Sequence, residues 1–136
     1  INASLTVPGL RRNMVTICAM TATIMQALDL DGFVVVTTPQ QLAVIDAKRS
    51  INMVRKLHVN VLGVVENFSG EIFGTGGGEQ LAQEMDLNFL GRLEMRTDYR
   101  DTSKPTVLNS NTVLNEFQSI VDGMKAGLEA VEVEAD

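Results

Sequence analysis

Tryptophan is absent, cysteine and histidine occur once each (Cys18 and His58), and aromatic residues make up only 4% of the chain. One cysteine cannot close an internal disulfide, which fits a reducing compartment and hence the cytoplasm. Cys18 and His58 together are too few for a tetrahedral metal site within one chain, so no metal ligands are expected. Between Ile17 and Ala19, Cys18 reads as a small buried apolar residue. With so few rings, aromatic platforms for stacking on nucleic-acid bases are not expected. No run of about 18 apolar residues occurs, so no membrane-spanning helix is expected. The apolar stretch Met14–Met20 is short and contains Thr16, unlike the core of a secretory signal. Basic residues are also few: 11 Lys and Arg stand against 17 Asp and Glu, a formal charge of −6. A phosphate backbone is repelled by that balance, so nucleic acid is not an expected partner. The one basic cluster, Lys48-Arg49 with Arg55-Lys56, reads as the wet face of a helix.

What is present suits an ordinary globular domain. Hydrophobic residues are 45% and charged residues 21% of 136 residues, and a chain of this length buries roughly two-thirds of its unfolded surface. The chain begins at Ile1; either the start has been removed or the chain is a piece of something longer.

Pro8-Gly9 marks a turn, and Met14–Cys18, β-branched and apolar, can form a strand. Thr21–Leu30 has helical character, closed by Asp29, Asp31 and Gly32. Phe33–Val36 is a continuous apolar run, as in strands of parallel sheets covered on both faces. Gln40–Leu57 reads as a helix, with Val44, Ala47, Ile51, Val54 and His58 in one stripe. Val59–Val65 is a second buried strand. The segment Glu66–Gly78 reads as a glycine-rich loop, followed by a short helix to Met85 and a third strand over Asn88–Leu93. Asn109-Ser110-Asn111 offers N-cap oxygens for a last helix to about Val131, with Val113, Phe117, Ile120, Met124, Leu128 and Val131 inward. The acidic end, Glu132–Asp136, is expected to fray. Strand and helix alternate, so the expected fold is α/β: a partial parallel sheet of three or four strands with flanking helices and right-handed crossovers.

Ligands of open parallel sheets sit beyond the carboxyl ends of the strands. Those ends are Thr37–Gln40, Glu66–Ser69 and Leu93–Arg96. The cluster Gly74-Thr75-Gly76-Gly77-Gly78-Glu79 before a helix invites a phosphate reading, because glycine lets N–H groups approach an anion. However, no Gly-Lys pair for a Walker A loop occurs anywhere, and a dinucleotide fingerprint lacks its third glycine at Glu79. A flexible or interface loop is the favoured reading. No catalytic set is apparent: His58, the only imidazole, falls at the amino-end side of the sheet, where capping or packing is its expected role.

The stretch Thr23–Gln40, with Val34-Val35-Val36-Thr37-Thr38-Pro39-Gln40 at its end, resembles the second half of Mrp-type ATPases. So do Gly63-Val64-Val65-Glu66-Asn67-Phe68-Ser69, Ile72–Glu79 and Phe89-Leu90-Gly91-Arg92. That family belongs to the MinD/ParA branch of P-loop proteins and carries iron–sulfur clusters. The resemblance covers about Thr21 to Val131, so it implies half of a P-loop NTPase fold. Residues 1–20 are then an atypical N-terminal segment, 21–131 the C-terminal half of a nucleotide-binding domain, and 132–136 an acidic tail.

The resemblance implies that Asn67 is similar to the family's adenine-binding asparagine; an amide offers both donor and acceptor. It implies that Leu93, Glu94 and Met95 line the other side of the base, although the family usually has Ile-Pro there. Without the resemblance, Asn67 reads as a turn-stabilising side chain. The family's phosphate loop, magnesium ligands and catalytic aspartate have no counterpart here, and its Asp-x-Pro-Pro-Gly switch is replaced by Thr16-Ile17-Cys18-Ala19-Met20. The Cys-x-x-Cys pair that bridges a cluster between two subunits in many members is missing too, since Phe68-Ser69-Gly70-Glu71 runs straight on; some archaeal-looking members also lack it. The implied function is ATP-dependent iron–sulfur carriage, with iron–sulfur acceptor proteins as partners. For this chain the expectations are weak or absent ATP binding, no ATP hydrolysis, no cluster on the chain alone, and self-association or a homodimer through the truncated sheet. The alternative is a degenerate, non-catalytic module that binds proteins through its sheet edge and glycine loop.

Overall fold

The computed structural model describes residues 4–5, 13–17 and 30–135. The elements are β1 (Ser4–Leu5), β2 (Asn13–Ile17), β3 (Leu30–Thr37), α1 (Gln41–Lys56), β4 (Val61–Ser69), α2 (Gly77–Glu84), β5 (Phe89–Glu94) and α3 (Asn111–Ala135). Single 3₁₀ turns at Thr97–Arg100 and Thr106–Leu108 join β5 to α3. The sheet has the order β1-β2-β3-β4-β5. Strands β2 to β5 are parallel, and the two-residue β1 pairs antiparallel on the outer edge of β2. The α/β parallel sheet with flanking helices is therefore the fold, with four parallel strands. The expected helix over Thr21–Leu30 and the burial of Cys18 lie outside the described residues, save that Leu30 opens β3.

The alternation of strand side chains sorts the core into two layers. On one face Val35 and Val64 pack with Ala47 and Ile51 of α1 and Leu81 and Ala82 of α2. On the other, Val34, Leu62, Val65 and Leu90 pack with Ile120 and Met124 of α3. Each such buried aliphatic side chain is worth roughly 1.5–3 kcal/mol relative to exposure. Both faces are covered, which is why these strands are written as unbroken apolar runs rather than as alternating ones.

Several boundaries differ from expectation. Strand β3 begins at Leu30 and absorbs Asp31 and Gly32, because Leu30 pairs with Asn13. Gly32 is needed there: a Cβ would lie 2.7 Å from Leu62 Cγ across the sheet. Strand β4 starts at Val61 and runs on to Ser69, since Glu66, Asn67 and Ser69 keep partners in β5. Helix α1 stops at Lys56, and His58 leaves its stripe. His58 is exposed in the left-handed region (φ 56°), with its N–H donated to the Arg55 carbonyl at 3.1 Å, which closes the helix. Ser110 caps α3: its hydroxyl accepts from the Val113 N–H at 3.5 Å and donates to Asp98 at 2.6 Å. Phe117, expected inward on α3, is 36% exposed. The backbone of α3 stays helical through the acidic end to Ala135, as suits a segment of glutamate and alanine.

Gly63 lets β4 approach closely the backbone just before β5. A Cβ there would sit 2.6 Å from the Asn88 carbonyl oxygen, which already accepts the Val64 N–H at 2.9 Å. Backbone cannot yield as a side chain can, so Gly63→Ala is expected to cost about 1–3 kcal/mol. Urea unfolding measures this, and a loss below about 0.5 kcal/mol, the scale of an ordinary surface change, contradicts the packing described.

Candidate functional site

The carboxyl ends of β3, β4 and β5 meet the glycine cluster at one edge of the sheet. Glu66, near the end of β4, has no solvent exposure. A carboxylate buried this way must be hydrogen-bonded or neutralised. Its Oε1 accepts from the Ser69 hydroxyl at 2.8 Å and from the Gly76 N–H at 3.0 Å; its Oε2 accepts from the Gly78 N–H at 2.7 Å. Arg92 stands beside it, Nε 3.9 Å from Oε1, while the other end of the guanidinium bonds Glu79 at 2.7 Å. Burial pushes the Glu66 carboxyl up, but the Gly76 and Gly78 amides, the Ser69 hydroxyl and the Arg92 charge outweigh it and hold it below its ordinary value.

This arrangement answers the phosphate reading of the glycine cluster. The N–H groups of Gly76 and Gly78, which open α2, are already bonded to an internal anion. The loop is also not loose. Gly76 takes the left-handed conformation (φ 94°), and a Cβ on Gly77 would lie 2.6 Å from the Pro39 carbonyl, so the loop rests directly on the turn after β3.

Past Glu66 the β4–β5 ladder slips. Asn67 pairs with Leu93 and Ser69 with Glu94, leaving Phe68 as the extra residue of a bulge. Phe68 has φ 56°, unusual for a bulky side chain, and is 47% exposed. The bulge is held on three sides. The Asn67 Oδ1 accepts the Phe68 N–H at 2.9 Å, the Ser69 hydroxyl bonds Glu66, and the Ser69 carbonyl accepts the Met95 N–H at 2.9 Å. Gly70 and Gly74 then exchange two backbone hydrogen bonds (2.9 and 2.8 Å), closing a tip of Glu71, Ile72 and Phe73. The Phe73 ring meets Phe68 at 6.3 Å between centroids.

Two open clefts of about 290 Å³ each flank Phe68. Asn67 lines the first, with Thr37, Thr38, Asp46 and Ser50 as its other polar groups. Glu94 and Met95 line the second, with Ser69 and Ile72. Leu93 is opposite Asn67 in the ladder, but its side chain packs into the α3-side core. The four residues singled out in the sequence are thus neighbours along one edge rather than the walls of one pocket, and Phe68 borders both clefts. Arg96 bonds Glu94 at 2.8 Å and Glu116 of α3 at 2.6 Å, tying the segment after β5 to α3. Among the described residues no group of three or more His, Cys, Asp or Glu side chains could hold a metal ion, and no helix is long and apolar enough to cross a membrane.

Sequence reasoning placed Glu66, Phe68 and Ser69 in a ligand-facing segment but gave none of them a role. The available signal was a glutamate closing an otherwise apolar strand, three residues before a serine and ten before a run of glycines.

The family model of ParA, described as NUBPL iron-transfer P-loop NTPase, matches residues 18–125. The chain belongs to that family. Among its relatives, the iron–sulfur cluster carrier protein of Methanocaldococcus jannaschii is 40% identical over 113 residues, covering 73% of this chain and 39% of that protein. The Escherichia coli K12 protein of the same name is 42% identical over 100 residues, 64% of this chain and 27% of its own length. The chain thus spans about two-fifths or less of the curated relatives it matches. The cell division ATPase MinD of Pyrococcus furiosus superposes with a TM-score of 0.60 at 17% identity, covering 71% of this chain and 43% of MinD. MinD of Pyrococcus horikoshii, solved with Mg-ADP, gives 0.51 at 19% identity, covering 78% and 41%. At these identities the likeness to MinD is one of fold.

Because the folded state holds Glu66 below the ordinary carboxyl value of about 4.5, its contribution to stability is present above that value and lost as pH falls through the folded one. Urea midpoints measured from pH 7 down to pH 3 should therefore drop, and Glu66→Gln, less stable at pH 7, should show a shallower drop. Parallel curves for the two proteins would mean that another group carries the acid dependence.

Proposed function

We propose that this chain supplies the base-side part of the nucleotide site of an Mrp-type, MinD-like ATPase that carries iron–sulfur clusters. The observation that carries this reading is Asn67: a half-buried amide at the carboxyl edge of a parallel sheet, beside a cleft, in a chain of the iron-transfer P-loop family. The names of the relatives supply the cargo. Residues 21–131 form the C-terminal half of the nucleotide domain, 1–20 an atypical segment and 132–136 an acidic tail. Asn67 meets the base, and Glu94 and Met95 approach it from the far side of Phe68, with Leu93 supporting them from the core. The compartment is the cytoplasm and the recipients are iron–sulfur acceptor proteins.

The chain alone lacks the means to turn ATP over. No Gly-Lys-Ser/Thr loop is present in its sequence to cradle the phosphates. Nor can Cys18, its one thiol, hold a cluster by itself, since clusters are generally bound by four ligands. A cluster is therefore cargo that needs thiolates from outside this chain.

A second reading, a non-catalytic protein-binding module, is favoured by one observation: Phe68, Ile72 and Met95 line the same cleft and are all exposed, Ile72 at 76%. Titration with a fluorescent ADP analogue separates the two. The nucleotide reading expects weak, saturable binding that Asn67→Ala reduces about tenfold, the scale of one good hydrogen bond, with no phosphate released from ATP. Binding unaffected by Asn67→Ala, or no binding at all, removes this reading and leaves the interaction module. Sedimentation of dilute protein adds a further check. Self-association is expected of a truncated sheet, and a monomer at high concentration with cooperative unfolding would contradict it.

A further inference from the structure

We propose that Glu66 is the positioning residue of this edge: its negative charge, buried beneath the glycine loop, sets the bulge that presents Asn67 and Phe68. As far as Asn67 serves a nucleotide, this rests on the reading above; the part concerning the loop and the bulge does not.

The argument starts from the bulge. Phe68 sits in a backbone region that costs a bulky residue about 1–2 kcal/mol, and such a conformation persists only where its surroundings over-determine it. One side of that restraint is Ser69, fully buried, whose hydroxyl has Glu66 as its partner. The same carboxylate gathers the amides of Gly76 and Gly78. Gly78 approaches so closely that a Cβ on it would lie 2.9 Å from Glu66 Cβ. Bulge, hairpin tip and the start of α2 are thus fastened to one side chain. Each donor aimed at Glu66 is matched to a carboxylate, which accepts at both oxygens. A glutamine side chain in its place would turn an NH₂ toward at least one of these donors, so size alone cannot replace the charge.

The charged groups facing Glu66 are Arg92 of β5 and, through Arg92, Glu79 of α2. Glu79 is itself a carboxylate and half exposed, so its part in any acid profile must be separated from that of Glu66.

The test follows the Gly76 and Gly78 amide resonances of the 136-residue protein with pH. Both should titrate together in the wild type, with a midpoint below the ordinary carboxyl value of about 4.5. The titration should survive in Glu79→Gln and vanish in Glu66→Gln. In Glu66→Gln at neutral pH, amides of 67–78 should exchange roughly tenfold faster, the loss of about one hydrogen bond, while those of β3 stay as they were. Ser69→Ala provides the milder variant should Glu66→Gln fail to fold. It should loosen the same segment less and move the Gly76/Gly78 midpoint upward, because one bond to the charged form is gone. A titration that persists in Glu66→Gln or disappears in Glu79→Gln overturns the proposal. So does a midpoint unmoved by Ser69→Ala.

Adenosine supplies the separate arm. If it shifts the Asn67 side-chain amide in the wild type and less in Glu66→Gln, Glu66 positions the base site. Equal shifts in the two proteins overturn that role. No shift in the wild type overturns the nucleotide reading, and the glycine titration still decides whether Glu66 sets the loop.

Discussion

A single carboxylate taken out of water ties together the carboxyl edge of this sheet and its glycine loop. Removing a charge from solvent is costly unless its lone pairs are filled, and here the filling comes from three places along the chain: Ser69 in the same strand, and Gly76 and Gly78 at the opening of α2. That requirement explains otherwise separate features. The loop needs glycine at 78 because a side chain would collide with Glu66, and at 77 because the backbone of Pro39 lies against it. Acid and base pair outward through Arg92 to Glu79, so the buried charge is compensated at the surface end of β5. The glycines that look like a phosphate cradle are instead the inner lining of a site for a charge the protein carries itself.

The same constraint shows what the sequence could disclose. Unbroken apolar runs such as Phe33–Val36 follow from two-sided burial, and the helical stripe Ala47, Ile51, Val54 follows from one-sided burial. These signals are local, so the parallel α/β sheet was legible from them. What escaped depends on pairing across strands. The extension of β4 to Ser69 exists because β5 offers partners to Glu66, Asn67 and Ser69, and nothing in the residues Glu-Asn-Phe-Ser distinguishes a paired strand end from a loop. Likewise His58 has the right spacing for the α1 stripe but arrives after the helix has closed at Lys56. Periodicity tells which face a residue would take and is silent on where the helix stops.

At the site the division runs along chemistry. Placing the candidate edge at the strands' carboxyl ends needed only topology. Identifying Asn67 needed the family's pattern, since an isolated asparagine after a strand is more simply a turn residue. Glu66 was the least legible of all: a lone acid in an apolar strand reads as the strand's end, and its partners lie three, ten and twelve positions away. Leu93, at the right place in sequence, turns its side chain to the α3 core because strand alternation leaves it no choice.

The two readings of Asn67 are compatible in the geometry. Its Oδ1 accepts the Phe68 N–H at 2.9 Å, the bond expected of a turn-stabilising side chain. Because that donor requires an acceptor, the bond also fixes the amide's orientation, oxygen toward the bulge and nitrogen away from it. An amide oxygen has a second lone pair, and the nitrogen has two donors. The turn bond therefore consumes one of the four hydrogen-bonding positions and orients the rest. A purine edge needs a donor beside an acceptor, and a side chain locked by its own backbone meets that need with less entropy to lose than a free one. The bulge that makes Asn67 look merely structural is thus the same feature that, under the proposed nucleotide reading, would orient it toward a base, and the next residue of that bulge, Ser69, is bonded from below to Glu66.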